Sequence, residues 1–447
     1  MSLRPDQYPN ILIIGAGIFG TSTAYHLSLS ENAKKPSVTV IDTTPTPPSP
    51  GASNDLNKII RADYTNELYM KLALEAIEQW AAWDFLKPFY HNSGRVTLNE
   101  WDSDYYERIQ QNFVKVLGKD PTATFSLKNN EAKEKWKKMF AGTKLDGLKD
   151  AYWNSIGGWC DADLATKAMM KEAQKNGVNY VSSEVKRLIL GSTGLRGAEV
   201  ADGRVFTADK ILLATGAWTS SLMSPVEDSL SIPFEDRVEL QATAAGVCVL
   251  HYHLGLIEMR ELQDMPVFIY GTNGEVLPPS QRSRILKYTN ANSFSNHYRT
   301  SSGQIISAPP RRSQFIVSEK LKKETMEVIG EKAMPRFSRG KEPDHWRLCW
   351  DAVTPSQDHL ITKHPDPRLS NLYFAVGGSF HSYKFLPNIG SYVCRVLEGL
   401  SNGNEKDQVW RWKTGTDGKI QRGAHEKIVP TRELKDLEED NGLKGKL

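Results

Sequence analysis

Gly15, Gly17 and Gly20 stand at the spacing G-x-G-x-x-G directly behind four apolar residues, Ile11-Leu12-Ile13-Ile14. At that spacing the first glycine permits a tight turn, the second lets a pyrophosphate approach the backbone, and the third lets a helix pack on the strand. Free N–H groups at the helix start then hold phosphate. Glycine-rich turns are common, so the surroundings decide. A helical stretch, Thr21 to Leu29, is followed by a second apolar strand, Ser37 to Ile41, that ends in Asp42. This carboxylate lies 22 positions beyond Gly20, where an acid can accept hydrogen bonds from a ribose hydroxyl. The pattern predicts a βαβ unit that binds a dinucleotide, and NAD and FAD both stay open on these residues.

Other side chains able to do chemistry are scattered. Cys160, Cys248, Cys349 and Cys394 are far apart and form no C-x-x-C pair, which argues against a zinc site or a disulfide framework; no metal site is expected. Each is by default a small buried hydrophobe. Lys58 and Arg61 lie three apart in the polar stretch Gly51 to Tyr64, read as a loop beside the dinucleotide site. Such a pair can bind an anion, with a solvated pair as the competing reading. Lys287 interrupts the apolar run Ile285 to Tyr288 and, by pattern alone, reads as an outward-pointing strand lysine.

The elements that must position these groups follow from periodicity. Glu67 to Leu86 has helical spacing, Tyr105 to Lys149 reads as charged and helical, and Asp161 to Asn176 as a helix stopped by Gly177. Short strands are expected at Asn179 to Ser182, Val185 to Leu190 and Gly197 to Val200. A further buried strand runs into the turn Ala214-Thr215-Gly216-Ala217-Trp218. From Arg237 to Thr300 the texture is that of a sheet, with strands at Gln241 to His251, Val267 to Tyr270 and Arg284 to Thr289. The apolar strand Leu372 to Val376 then meets Gly377-Gly378 and a helix reaching Leu400. No second G-x-G-x-x-G occurs, so a separate NADPH domain is not expected.

The 447 residues allow about three domain-sized units. Lys plus Arg exceed Asp plus Glu by three and 39% of residues are hydrophobic, an enzyme-like balance with no basic stripe for nucleic acid. Met1 to Asn10 is polar and no run is long enough to span a membrane, so a cytoplasmic protein is expected. The terminal Gly445-Lys446-Leu447 is a poor match to the peroxisomal Ser-Lys-Leu address.

Taken in order, the motifs resemble the sarcosine oxidase and fructosyl amino acid oxidase (amadoriase) family of flavoenzymes, nearest to the amadoriase-like oxidases of fungal secondary metabolism. The resemblance covers nearly the whole chain. It takes in the N-terminal fingerprint, Asp55 to Arg61, Tyr90 to Gly94, Ala214 to Trp218, Cys349 with Thr354-Pro355, Lys384 to Gly390 and Trp410-Arg411-Trp412. It implies an α/β fold with a Rossmann-type FAD domain (1–92, 150–230 and 335–402) interleaved with a sheet-based substrate domain (93–149 and 231–334), and a tail, 403–447. It also implies FAD bound through a thioether from Cys349 to the flavin 8α carbon. Arg61 and Lys384 would hold a substrate carboxylate with Tyr64 and Ala291 nearby, and Lys287 would assist reaction with oxygen. Gly15, Gly17, Gly20, Asp42, Lys58, Val185, Gly216, Gly378 and Lys384 would contact the cofactor.

Two departures bear on the substrate. Four residues beyond the oxygen lysine, where amadoriases carry a glutamate and sarcosine oxidases a histidine, this chain has Ala291. The family run Gly-His-Gly-Phe-Lys is Phe380-His381-Ser382-Tyr383-Lys384 here, which is bulkier. The expectation is an oxidase of the C–N bond of an amino-acid-derived secondary amine, N-methyl or cyclic, using O2 and acting as a monomer. A fructosyl amino acid and a pipecolate- or saccharopine-type amine are the alternative substrates. A flavin monooxygenase, which would react with NADPH and would not need Cys349, and a non-catalytic flavin-binding module are the rivals outside the family.

Overall fold

The computed structural model describes residues 9–29, 36–47, 49–99, 104–414 and 429–438. The terminal Gly445-Lys446-Leu447 lies outside them. Two large sheets organise the molecule. The first has six strands in the order Leu360–Lys363, Leu372–Val376, Lys210–Leu213, Ile11–Ile14, Val38–Asp42, Asn179–Ser182. All pair in parallel except Leu360–Lys363, which runs antiparallel to Leu372–Val376. Such a sheet is covered on both faces, which is why its strands are continuous apolar runs; all four residues of Ile11–Ile14 are buried. The helix Ile18–Ser28 packs on it, against Ala162–Lys175 and Ile389–Leu397.

The second sheet has nine strands and is mostly antiparallel. Its path runs Phe294–Ser295, Thr243–His253, Ile285–Asn290, Gly274–Leu277, Val267–Tyr270, Arg95–Asn99, Asp150–Asn154, Thr122–Ser126. The strand His345–Val353 also pairs with Thr243–His253, in a register that sets Cys349 opposite Val247. A mixed α/β fold was expected and is found.

Two segments differ from the sequence expectation. Gly51 to Tyr64 is not a plain loop, because Asn57–Ile60 is a strand paired with Gly158–Asp161. Its partner is remote in sequence, so local pattern gave no sign of it. Tyr105 to Lys149 is not helical throughout: after the helix Tyr105–Leu117, Thr122–Ser126 forms an edge strand on Asp150–Asn154. The Thr and Phe content of that strand suits a pleated surface, but charged neighbours mask it. No helix among the described residues is long and apolar enough to cross a membrane.

Candidate active site

The glycine turn is built as its spacing requires. Gly15 has φ +103°, and a Cβ there would meet the Ala214 carbonyl oxygen at 2.3 Å. A Cβ on Gly20 would meet the Gly15 oxygen at 1.8 Å, so the helix lies directly on the turn. Asp42 closes the same turn by accepting from the Ala16 N–H at 2.6 Å, and burial pushes its carboxyl up.

One cavity of about 2040 Å³ runs from this turn to the face of the nine-stranded sheet. Pockets for drug-sized ligands fill roughly 300–1,000 Å³, so there is room for a dinucleotide and a substrate together. Its lining includes Gly15, Gly17, Asp42, Lys58, Arg61, Tyr64, Val185, Gly216, Ala291, Cys349, Gly378 and Lys384. Gly20 and Lys287, also expected at the site, are not among the lining residues. Gly20 packs behind the turn, and Lys287 is buried at 2% exposure. The option of an outward-pointing Lys287 is therefore excluded.

Lys287 belongs to a charge cluster that sequence pattern did not reveal. Its Nζ donates to Asp55 Oδ2 at 2.9 Å and to the Asn57 carbonyl at 2.7 Å. Lys58 Nζ lies 2.7 Å from the same Asp55 oxygen, and Arg347 Nη1 lies 3.8 Å from Oδ1. Arg347 also donates to the carbonyls of Pro50, Gly51 and Asn54, pinning that loop. Three cations thus share one buried carboxylate. Burial acts to raise the Asp55 carboxyl, but Lys287, Lys58 and Arg347 together hold it well below the usual carboxylate range. Burial also lowers the Lys287 ammonium.

Cys349 sits beside this cluster, with Lys58 Nζ donating to its Sγ at 3.8 Å. It packs with Val247, Val249, Ala52 and Phe380. Of the four cysteines, it is the one among the cavity-lining residues. Burial raises the thiols of Cys160, Cys248 (to about 12) and Cys394, as suits inert core sulfur. Phe380 holds φ +59° and the preceding Ser379 φ +47°, backbone values uncommon away from glycine. The Phe380 N–H is fixed by Asp351 Oδ2 at 2.8 Å, and a Cβ on Gly378 would meet that oxygen at 2.6 Å.

The second cluster centres on Tyr64. The Arg61 guanidinium lies 4.4 Å from its ring centroid and Lys384 Nζ 5.3 Å. Lys384 Nζ donates to the Tyr64 hydroxyl at 2.9 Å and to the His381 carbonyl. The Trp80 indole N–H ties the Lys384 carbonyl to the long helix Glu67–Ala82 at 2.8 Å. His381 Nε2 faces the Gln357 carbonyl at 2.9 Å, so it carries the proton; Nδ1 then accepts from the Tyr64 hydroxyl at 3.0 Å. Arg61 donates to the Asp63 carbonyl, and the Asp63 carboxylate is held by Arg95 at 3.0 Å, Tyr152 at 2.9 Å and Asn154 at 2.8 Å. Burial, then the nearby Arg61 and Arg95, drives the Lys384 ammonium well below its ordinary value.

The structure thus brings Arg61, Lys384 and Tyr64 together, and separately Lys58, Lys287 and Cys349, around one cavity. Sequence reasoning missed Asp55 as the hub, along with Arg347 and Arg95. A charged residue inside an apolar strand, as at Arg347 and Lys287, was the available signal.

A mostly parallel sheet, a glycine turn with no room for side chains and a large cavity beside that turn have the form of a dinucleotide-binding fold. Residues 10–396 match the family described as FAD dependent oxidoreductase (DAO), and the chain belongs to that family. The L-saccharopine oxidase of Schizosaccharomyces pombe is 27% identical over 90% of this chain and 93% of its own. The amino acid oxidase imqH of Aspergillus flavus is 24% identical over 91% and 98%. Among solved structures, a modified fructosyl peptide oxidase from Aspergillus nidulans in complex with FSA superposes with a TM-score of 0.80 at 26% identity, covering 97% of this chain and 99% of that one. The chain is therefore of the FAD-dependent amine and amino acid oxidase type, similar to amadoriases in fold.

Proposed function

We propose that this chain oxidises the C–N bond of an amino-acid-derived secondary amine, N-methyl or cyclic, yielding an imine and H2O2. The observation that carries this reading is the convergence of Arg61 and Lys384 on Tyr64 within the cavity that also holds Cys349. The residues fit FAD: the Gly15 turn leaves no room for a side chain, and one cavity is lined by both Asp42 and Cys349. When bound, FAD supplies a hydride acceptor and passes the electrons on to O2.

The chain's own groups do the rest. Arg61 and Lys384 grip the carboxylate beside the amine and so fix which C–H bond is presented. Tyr64, its proton committed to His381, accepts from Lys384 and holds that ammonium in place. The Lys287 charge favours negative charge developing on oxygen. The released imine hydrolyses or, given an internal nucleophile, cyclises as in isoquinoline-type natural products. The interleaved domain division, a monomer and a cytoplasmic location complete the proposal.

The carboxylate grip is tested by comparing N-methyl-L-phenylalanine with its methyl ester. The acid should exceed the ester in kcat/KM by about a hundredfold, as for loss of a charge-assisted pair of ~1.5–3 kcal/mol; equal values would remove Arg61 and Lys384 from the site. pH gives a second check. Because the Lys384 ammonium sits well below its ordinary range, it loses its proton earlier as pH rises. KM for the acid should therefore climb on the alkaline side below the ordinary lysine value of about 10.4, and a flat profile up to there would count against it. Cys349 is tested independently of turnover. Acid precipitation of the wild type should carry yellow flavin into the pellet, and of Cys349→Ala should leave it in the supernatant. Flavin retained by the variant would end the thioether assignment.

A saccharopine-type amine is the second reading. It is favoured by Arg95 and Glu275, cavity residues that an N-methyl or cyclic amino acid such as pipecolate leaves unused.

A further inference from the structure

Strand pairing lays one row of side chains across the sheet face that lines the cavity: Thr97, Ile269, Glu275, Thr289 and Val249. Side chains alternate along a strand, so Lys287 and Thr289 share the face of Glu275, which stands one strand over. Glu275 is half-buried and makes no hydrogen bond or ion pair among the described residues. At the other end of the row, two residues before Thr97 and on the same face, stands Arg95. It is buried, spends one Nη on Asp63 at 3.0 Å and leaves its Nε without a partner among the described residues.

Two charges of opposite sign therefore line one cavity wall. With a strand rise of about 3.4 Å and a strand spacing of about 4.8 Å, their Cα atoms are on the order of 12 Å apart. Two long side chains reaching inward from that separation leave room for a single small group bearing both charges. A buried donor without an acceptor is uncommon, and the Glu275 carboxylate is not needed to balance Arg95, which already has Asp63.

We infer that Arg95 and Glu275 form a second subsite that takes a zwitterionic amino-acid end of the substrate, its carboxylate on Arg95 and its ammonium on Glu275. The substrate class is then a secondary amine joining two amino-acid arms, one gripped by Arg61 and Lys384 and the other here. This rests on the amine-oxidase reading above and narrows it.

The test uses the holoenzyme and two amines. L-saccharopine carries the distal amino-acid end, while N-pentyl-L-glutamate keeps the secondary amine and its neighbouring carboxylate but lacks that end. Wild type should prefer L-saccharopine by at least tenfold in kcat/KM. Glu275→Gln should collapse the preference, raising KM for L-saccharopine at least tenfold more than for the analogue. Glutamine still accepts a hydrogen bond, so a contact to a neutral sugar hydroxyl would survive the change, and fructosyl-valine serves as that control. Arg95→Lys keeps a cation for Asp63 and should act in the same direction, whereas truncating Arg95 would strand a buried carboxylate. Equal use of the two amines by wild type, or equal losses on both in Glu275→Gln, would overturn the subsite. Oxidation of N-methyl-L-phenylalanine with neither test amine oxidised would also overturn it while the amine-oxidase reading stood. No secondary amine oxidised at all would sink both.

Discussion

Lys287→Met is expected to slow the reaction of the reduced enzyme with oxygen by roughly a hundred- to a thousandfold, the range seen when one preorganised electrostatic group is removed. Reduction by the amine under nitrogen should change far less, because Arg61 and Lys384 belong to the other cluster. The separation matters, since a loss of fold would depress both half-reactions. Methionine has nearly the length of lysine, and Asp55 keeps Lys58 at 2.7 Å as a partner, so the cluster survives the change. Stopped-flow mixing of reduced enzyme with oxygenated buffer reads the step directly. If the variant reoxidised as fast as wild type, Lys287 would be only the anchor that its bond to the Asn57 carbonyl already makes it.

Asp55→Ala should be the most damaging change to stability in the site. It leaves Lys287, Lys58 and Arg347 crowded together without their carboxylate. Breaking a buried pair by removing one member costs about 3–5 kcal/mol, and here one acid serves three cations. The sign with pH follows from the carboxyl being held well below its usual range. A depressed acid stabilises the fold above its unfolded value of about 3.9 and loses that contribution as pH falls through its folded value. The gap in urea midpoint between wild type and variant should therefore be full at neutral pH and narrow in strong acid. A gap that did not change with pH would mean that Asp55 acts through packing and the Leu56 N–H bond it accepts at 2.8 Å.

Much of the framework was legible in the residues. The Gly15 turn and Asp42 at the end of its strand follow from local spacing, because backbone constraint and strand–helix geometry act over a few residues, whereas Cys349 is set apart from the other cysteines only by the family resemblance. What was hidden is long-range. Asp55 meets Lys287 across 232 positions, and nothing near either residue encodes the pairing. Glu275 faces Thr289 only because Gly274–Leu277 and Ile285–Asn290 pair in that register. Arg95 sits one residue beyond Gly94 in a strand whose burial depends on both its neighbours, Val267–Tyr270 and Asp150–Asn154. Charged side chains in such strands look solvent-facing until the second covering layer is known.

The departure at Phe380 shows the opposite case. The family pattern has glycine where this chain holds phenylalanine, and the backbone retains the left-handed conformation that glycine favours, φ +59°. Its ring packs with Cys349, Val247 and Val249. A residue kept at such a backbone value costs of order 1–3 kcal/mol unless its surroundings compensate, and here the ring packs where a glycine would leave space.

Anaerobic mixing decides whether the chain is an FAD-dependent oxidase of secondary amines. Purified yellow protein is mixed with N-methyl-L-phenylalanine and with L-saccharopine under nitrogen, flavin absorbance is followed, and air is then admitted. Bleaching by at least one of the two amines is expected, with colour returning and H2O2 appearing on aeration. Flavin that stays yellow with both amines but is bleached by NADPH would make the protein a monooxygenase instead.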